Sequence, residues 1–158
     1  MTTTLHRNTQ DELVKAALSR IDQIDFTGVR LKLANTHDGP AWSAAQLDYA
    51  QERYCQFLAL TFAYPDRTIV PDRLVDAFWH QHILDTRAYA KDCAAVLGHF
   101  LHHFPYLGTR GKADEEALAQ CFADTAELLV LHFGEDAGEP SASGSKCGAG
   151  SCSQCSNR

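Results

Sequence analysis

Apolar residues recur at intervals of three and four over most of the chain up to residue 134, the spacing that lines one face of a helix. The first stripe is Leu13, Ala16, Ala17, Ile21 and Ile24. Before it, Thr9-Gln10-Asp11-Glu12 has the form of a capping box, in which hydroxyl and carboxylate satisfy free amides of the first turn. This predicts a helix over about residues 10 to 25. From Phe26 to Asp38 the apolar residues Val29, Leu31 and Leu33 alternate, which suits a short strand or an apolar connection. The segment reads as irregular, closed by Asp38-Gly39-Pro40. Ser43 and Gln46 form a second capping box, and Leu47, Ala50, Tyr54, Phe57, Leu58 and Thr61 follow at helical spacing. They predict a helix over about 43 to 63, with Tyr54, Phe57 and Phe62 in the core.

Pro71 suits the first position of a third helix, where its missing amide costs nothing. The helical pattern then continues almost unbroken from Asp72 to Phe104. Asp85-Thr86 supplies a break, since either residue can cap a new helix near Arg87, so two helices or one bent helix are expected. Pro105, Gly108 and Gly111 interrupt the chain before Asp114-Glu115-Glu116 opens a last helix, with Leu118, Cys121, Phe122, Leu128, Leu129, Leu131 and Phe133 within it and Gly134 as its stop. The expected fold is all-α: a small antiparallel bundle of four to five helices over residues 1–134, followed by a flexible Gly/Ser/Cys-rich tail over 135–158.

Charge narrows the partners. Fourteen basic against twenty acidic side chains leave a net charge of −6, without the basic footprint of a nucleic-acid binder, and an anionic membrane is an equally poor match. No stretch has the roughly 18 apolar residues of a membrane helix, and the first residues do not have the form of a secretory signal. The cytosol is the expected location. Six cysteines divide evenly between helical segments (Cys55, Cys93, Cys121) and the last dozen residues (Cys147, Cys152, Cys155), a distribution unlike a secreted disulfide framework. In a reducing compartment such thiols are more often metal ligands or redox groups.

Five of the eight histidines, His80, His82, His99, His102 and His103, lie between Trp79 and Phe104. In this stretch an acid, Asp76, precedes the Trp-His-x-His run Trp79, His80 and His82, and Tyr89 and the pair Asp92-Cys93 follow. This pattern resembles the glycine-rich domain-containing protein-like family of plants and bacteria, over about residues 10 to 110. The resemblance implies kinship without implying a catalytic assignment.

Helix geometry sorts the candidates. Asp76 and His80, and likewise His99 and His103, are four apart and share a face, so two helices carrying one pair each would close a four-ligand site. His80 and His82 point about 200° apart around an ideal helix and cannot share an ion. His82 aligns with Thr86, Tyr89 and Cys93. In an unbroken helix it stands roughly 16 Å from Cys93, so a bend at Asp85-Thr86 is needed to bring them together. The competing structural reading makes His80 and His82 hydrogen-bonded core residues beside an anchoring Trp79. A Cys93 nucleophile activated by His82 or His99 and oriented by Asp92 is a weaker option, because a mid-helix thiol lacks an electropositive setting. Cys55 and Cys121 lie on apolar stripes and read as core.

The tail combines a C-x4-C with a C-x2-C through Cys147, Cys152 and Cys155, a soft-metal spacing. It echoes three ligands of a plant-type ferredoxin and lacks a fourth. The leading reading is therefore a cytosolic protein that handles or senses a transition metal, zinc first, with iron or copper as alternatives. Its ligands are drawn from Asp76, His80, His82, Cys93, His99 and His103, with Cys147, Cys152 and Cys155 as a mobile arm. The alternatives are a metal-dependent enzyme of the iron oxygenase or zinc hydrolase type, and a metal-free module whose acidic surface meets a protein partner.

Overall fold

The computed structural model describes residues 2–35 and 40–134, with side chains from residue 9 onward. Those residues form six helices and no strand: α1 (Thr2–Ile21), α2 (Thr27–Ala34), α3 (Ala44–Ala63), α4 (Arg73–Leu84), α5 (Thr86–Val96) and α6 (Lys112–Phe133). The all-α expectation holds, with one helix more than the four or five expected. The extra helix is α2, in the segment that read as irregular. Val29 and Leu33, four apart, are buried there while Leu31 is 63% exposed, so the apparent alternation is one helix face and its opposite. Asp25 Oδ1 accepts the Thr27 amide at 2.9 Å, satisfying a free donor at the start of this short helix.

α1 begins at Thr2 and ends at Ile21, earlier at both ends than the expected 10 to 25. Thr9 and Glu12 thus lie inside the helix rather than capping it, and Glu12 instead pairs with Lys15 at 3.0 Å on the surface. The Ser43–Gln46 capping box of α3 forms with both of its hydrogen bonds. α4 starts after Asp72 and not at Pro71: the Asp72 carboxylate accepts the Val75 amide at 2.9 Å and, through its other oxygen, the Tyr49 hydroxyl at 2.8 Å. The break after α4 falls at Asp85, whose side chain accepts the Ala88 amide at 3.3 Å and starts α5. α5 ends at Val96, and Gly98 follows with φ of +79°, a left-handed conformation that favours glycine. The expected helical continuation to Phe104 is replaced by an irregular segment.

α3 is the centre of the molecule. It buries Leu47, Ala50, Arg53, Tyr54, Phe57, Leu58, Ala59, Leu60 and Ala63, and packs against both α1 and α4. Phe78, Tyr89 and Val96 join that core from α4 and α5. α6 is held more lightly. It buries Thr125, Leu128 and the His132 side chain, and the Thr125 hydroxyl accepts the Val70 amide at 3.1 Å.

Candidate metal centre

α4 divides its polar residues between two faces. Leu74, Val75, Phe78, Trp79 and His82 turn inward, which leaves Asp76 and His80 on the outer edge, one turn apart. The segment after α5 returns along α4 and adds His103. Its Nε2 lies 3.0 Å from His80 Nε2 and 3.2 Å from Asp76 Oδ1, and His80 Nε2 stands 3.7 Å from that oxygen. The side chains of Asp76, His80 and His103 are 39%, 49% and 21% exposed, so the triangle faces solvent.

These separations suit a small divalent ion. Bonds of about 2.0–2.1 Å to nitrogen and oxygen place tetrahedral donors roughly 3.4 Å apart, a value the three observed distances bracket. Protons alone serve the cluster less well. Asp76 only accepts, so a single proton on His103 Nε2 is divided between two acceptors, whereas a cation engages all three lone pairs together.

The expected ligands divide accordingly. Asp76 and His80 lie together as their spacing predicts, and His103 joins them. His99 does not, because residues 97–111 hold no helix and no shared face exists to align it with His103. The His99 Nδ1–H donates instead to the Leu97 carbonyl at 3.1 Å. The predicted second helical pair is thus replaced by one histidine on an irregular segment, and three candidate donors converge rather than four. Cys147, Cys152 and Cys155 lie outside the described residues.

His82 and Cys93 stand apart from this cluster. The bend at Asp85 does bring them together, since both line one small internal cavity with Tyr54, Tyr89 and Asp92. The group that engages His82 is nevertheless Asp92, at 3.1 Å from Nε2, with the Tyr54 hydroxyl 3.0 Å from Nδ1. Because a carboxylate only accepts, Nε2 carries the proton and Nδ1 accepts from Tyr54. The His82 side chain is 4% exposed, and burial lowers its pKa despite the nearby Asp92 and Asp85. Burial likewise drives the Tyr54 phenol well above its usual range. His82 is thus a neutral core histidine with both ring nitrogens hydrogen-bonded. Cys93 is buried and shares that cavity with Asp92 and two tyrosines, unlike the partly exposed, electropositive setting that activates a thiol.

Sequence reasoning missed a second relay. His132 Nδ1 lies 2.8 Å from Asp11 Oδ1, and its Nε2 lies 2.7 Å from the Tyr64 hydroxyl, pinning α6 to α1 and α3. A polar residue inside the apolar last turn of α6 was the available signal. Its partners lie too far along the chain for spacing to reveal.

The family model described as UCP032817-like matches residues 17–127, a span that holds the Asp76–His80–His103 cluster and the Tyr54–His82–Asp92 relay. The chain belongs to the UCP032817-like family. Asp11 and His132 fall outside the matched span of this UCP032817-like chain. No curated protein and no solved structure matches it. Among the described residues, no helix is long and apolar enough to cross a membrane.

Proposed function

We propose that the protein binds one divalent transition-metal ion, zinc first and iron(II) second, through Asp76, His80 and His103, and holds it in exchangeable form for metal handling or sensing in the cytosol. The observation that carries this reading is the meeting of three donor atoms from α4 and the segment after α5 within 4.8 Å of one another. Two nitrogens and one oxygen form a borderline set that suits zinc and accepts iron. The exposure of His80 and Asp76 gives a bound ion a direct path to solvent, as exchange requires. The tail thiols Cys147, Cys152 and Cys155 would serve as acquiring ligands for zinc or copper(I).

A second reading is a metal-dependent enzyme. Two histidines and one carboxylate leave coordination positions open, the arrangement of catalytic zinc and non-haem iron sites. Metal analysis by mass spectrometry of untagged protein purified without oxygen decides the matter first. The comparison is between the wild type, H103A, and a form with Cys147, Cys152 and Cys155 all changed to serine. The proposal expects near-stoichiometric metal in the serine form and loss of that ion in H103A. Equal metal content in wild type and H103A would overturn it.

A further inference from the structure

His103 sits on an irregular segment, yet its nitrogen must be placed within a few tenths of an ångström for three donors to share an ion. Something has to hold residues 98–104 against α4. The candidate lies in the buried network beneath the site. The Tyr89 hydroxyl accepts the Trp79 Nε1–H at 2.8 Å and donates to the Leu101 carbonyl at 2.6 Å, two residues before His103. Burial pushes the Tyr89 phenol well above its ordinary range, so the hydroxyl keeps the hydrogen it donates to the Leu101 carbonyl.

We infer that the Tyr89 hydroxyl is a positioning group for the metal site, clamping the segment that carries His103 onto α4 so that this imidazole meets Asp76 and His80. Ring contacts support the same placement. The Trp79 ring that donates to Tyr89 also meets the His103 ring edge-on, with centroids 4.8 Å apart, and Phe100 packs edge-on against Tyr89 at 5.1 Å. Trp79 and His80 are consecutive on α4, so one helix supplies both a metal ligand and the indole that anchors the clamp. The phenol ring of Tyr89 is 1% exposed and fills the core whether or not it bears a hydroxyl. Its oxygen is thus separable from its packing. This inference rests on the metal reading for its consequence and on hydrogen-bond and ring-packing geometry for its mechanism.

The test is Y89F in a full-length background carrying serine at Cys147, Cys152 and Cys155, read in two ways. In chelated protein, amide exchange of residues 99–104 should quicken in Y89F while the amides of α3 keep their rates. In a cobalt(II) titration, Y89F should bind about tenfold more weakly or worse, with an altered visible band, as found when groups supporting metal ligands are removed. A purely structural role would lower the melting temperature and leave both the band and the affinity measured well below it unchanged, which would overturn the inference. Should Y89F fail to fold, W79F decides. It frees the hydroxyl from its indole donor, and unchanged cobalt affinity together with unchanged exchange at 99–104 would overturn the clamp. Cobalt bound by neither background nor variant would remove the metal reading, and exchange at 99–104 would still judge the clamp by itself.

Discussion

The Nε2 atoms of His80 and His103 lie 3.0 Å apart although twenty-three positions separate the residues in the chain. Both face the same oxygen of Asp76. The two histidines come from different kinds of structure. His80 is set by helical periodicity, and His103 by an irregular segment that doubles back from α5.

Removing a ligand should abolish tight binding. Loss of a supporting group costs about 10–100-fold in metal affinity, and loss of a ligand should exceed that. In the background with serine at Cys147, Cys152 and Cys155, D76A, H80A and H103A should each lose more than about 100-fold in a zinc competition titration, whereas H99A and C93A should match that background. A wild-type affinity for H80A, or a loss in C93A equal to that in H103A, would place the ion elsewhere.

Bound metal should stabilise the fold, because the triangle does not exist in the unfolded chain. At a free zinc concentration a hundred times Kd, the gain is about 2.7 kcal/mol. Urea unfolding with zinc and with chelator should show that difference in the wild type and essentially none in H103A.

The relay at His82 should behave in the opposite way. D92A and Y54F each leave a buried hydrogen-bonding nitrogen without its partner, at a cost of about 1–3 kcal/mol. Metal content should be unaffected, since His82 lies outside the cluster. A variant that kept its stability and lost its metal would reverse the two roles.

Acid should weaken the metal-free fold through His82. Burial lowers its pKa in the folded protein below the ordinary 6.5, so the unfolded chain takes up this proton at a higher pH than the native state does. The contribution is complete above 6.5 and is lost as pH falls through that value toward the lower native pKa. Urea midpoints of chelated protein should therefore drop between pH of about 7.5 and 5.5, and drop less in H82Q. Identical slopes for the two proteins would show that another group governs the acid response.

Much of the architecture was legible because helices announce themselves locally. The capping box at Ser43 and Gln46, the break at Asp85 and the stop at Gly134 each depend on residues a few positions apart, and each is found. Errors arose where local signals conflict. Val29, Leu31 and Leu33 carry a two-residue period that is also part of a helical one, and burial of Val29 and Leu33 against the core settles it. Thr9 and Glu12 have the form of a cap and lie inside a longer helix.

The site divides along the same line. Spacing alone joined Asp76 to His80 and separated His80 from His82, because both relations follow from the pitch of one helix. Which histidine would complete the set was a tertiary matter. The left-handed Gly98 ends the helical register before His99, and the Tyr89 hydroxyl takes hold of Leu101. From there His103 reaches α4 while His99 turns back to its own backbone. Helical periodicity is written in residues three and four apart, so one sequence suffices to read it. The meeting of His103 with Asp76 depends on the path of an irregular segment, which packing and long-range hydrogen bonds alone determine.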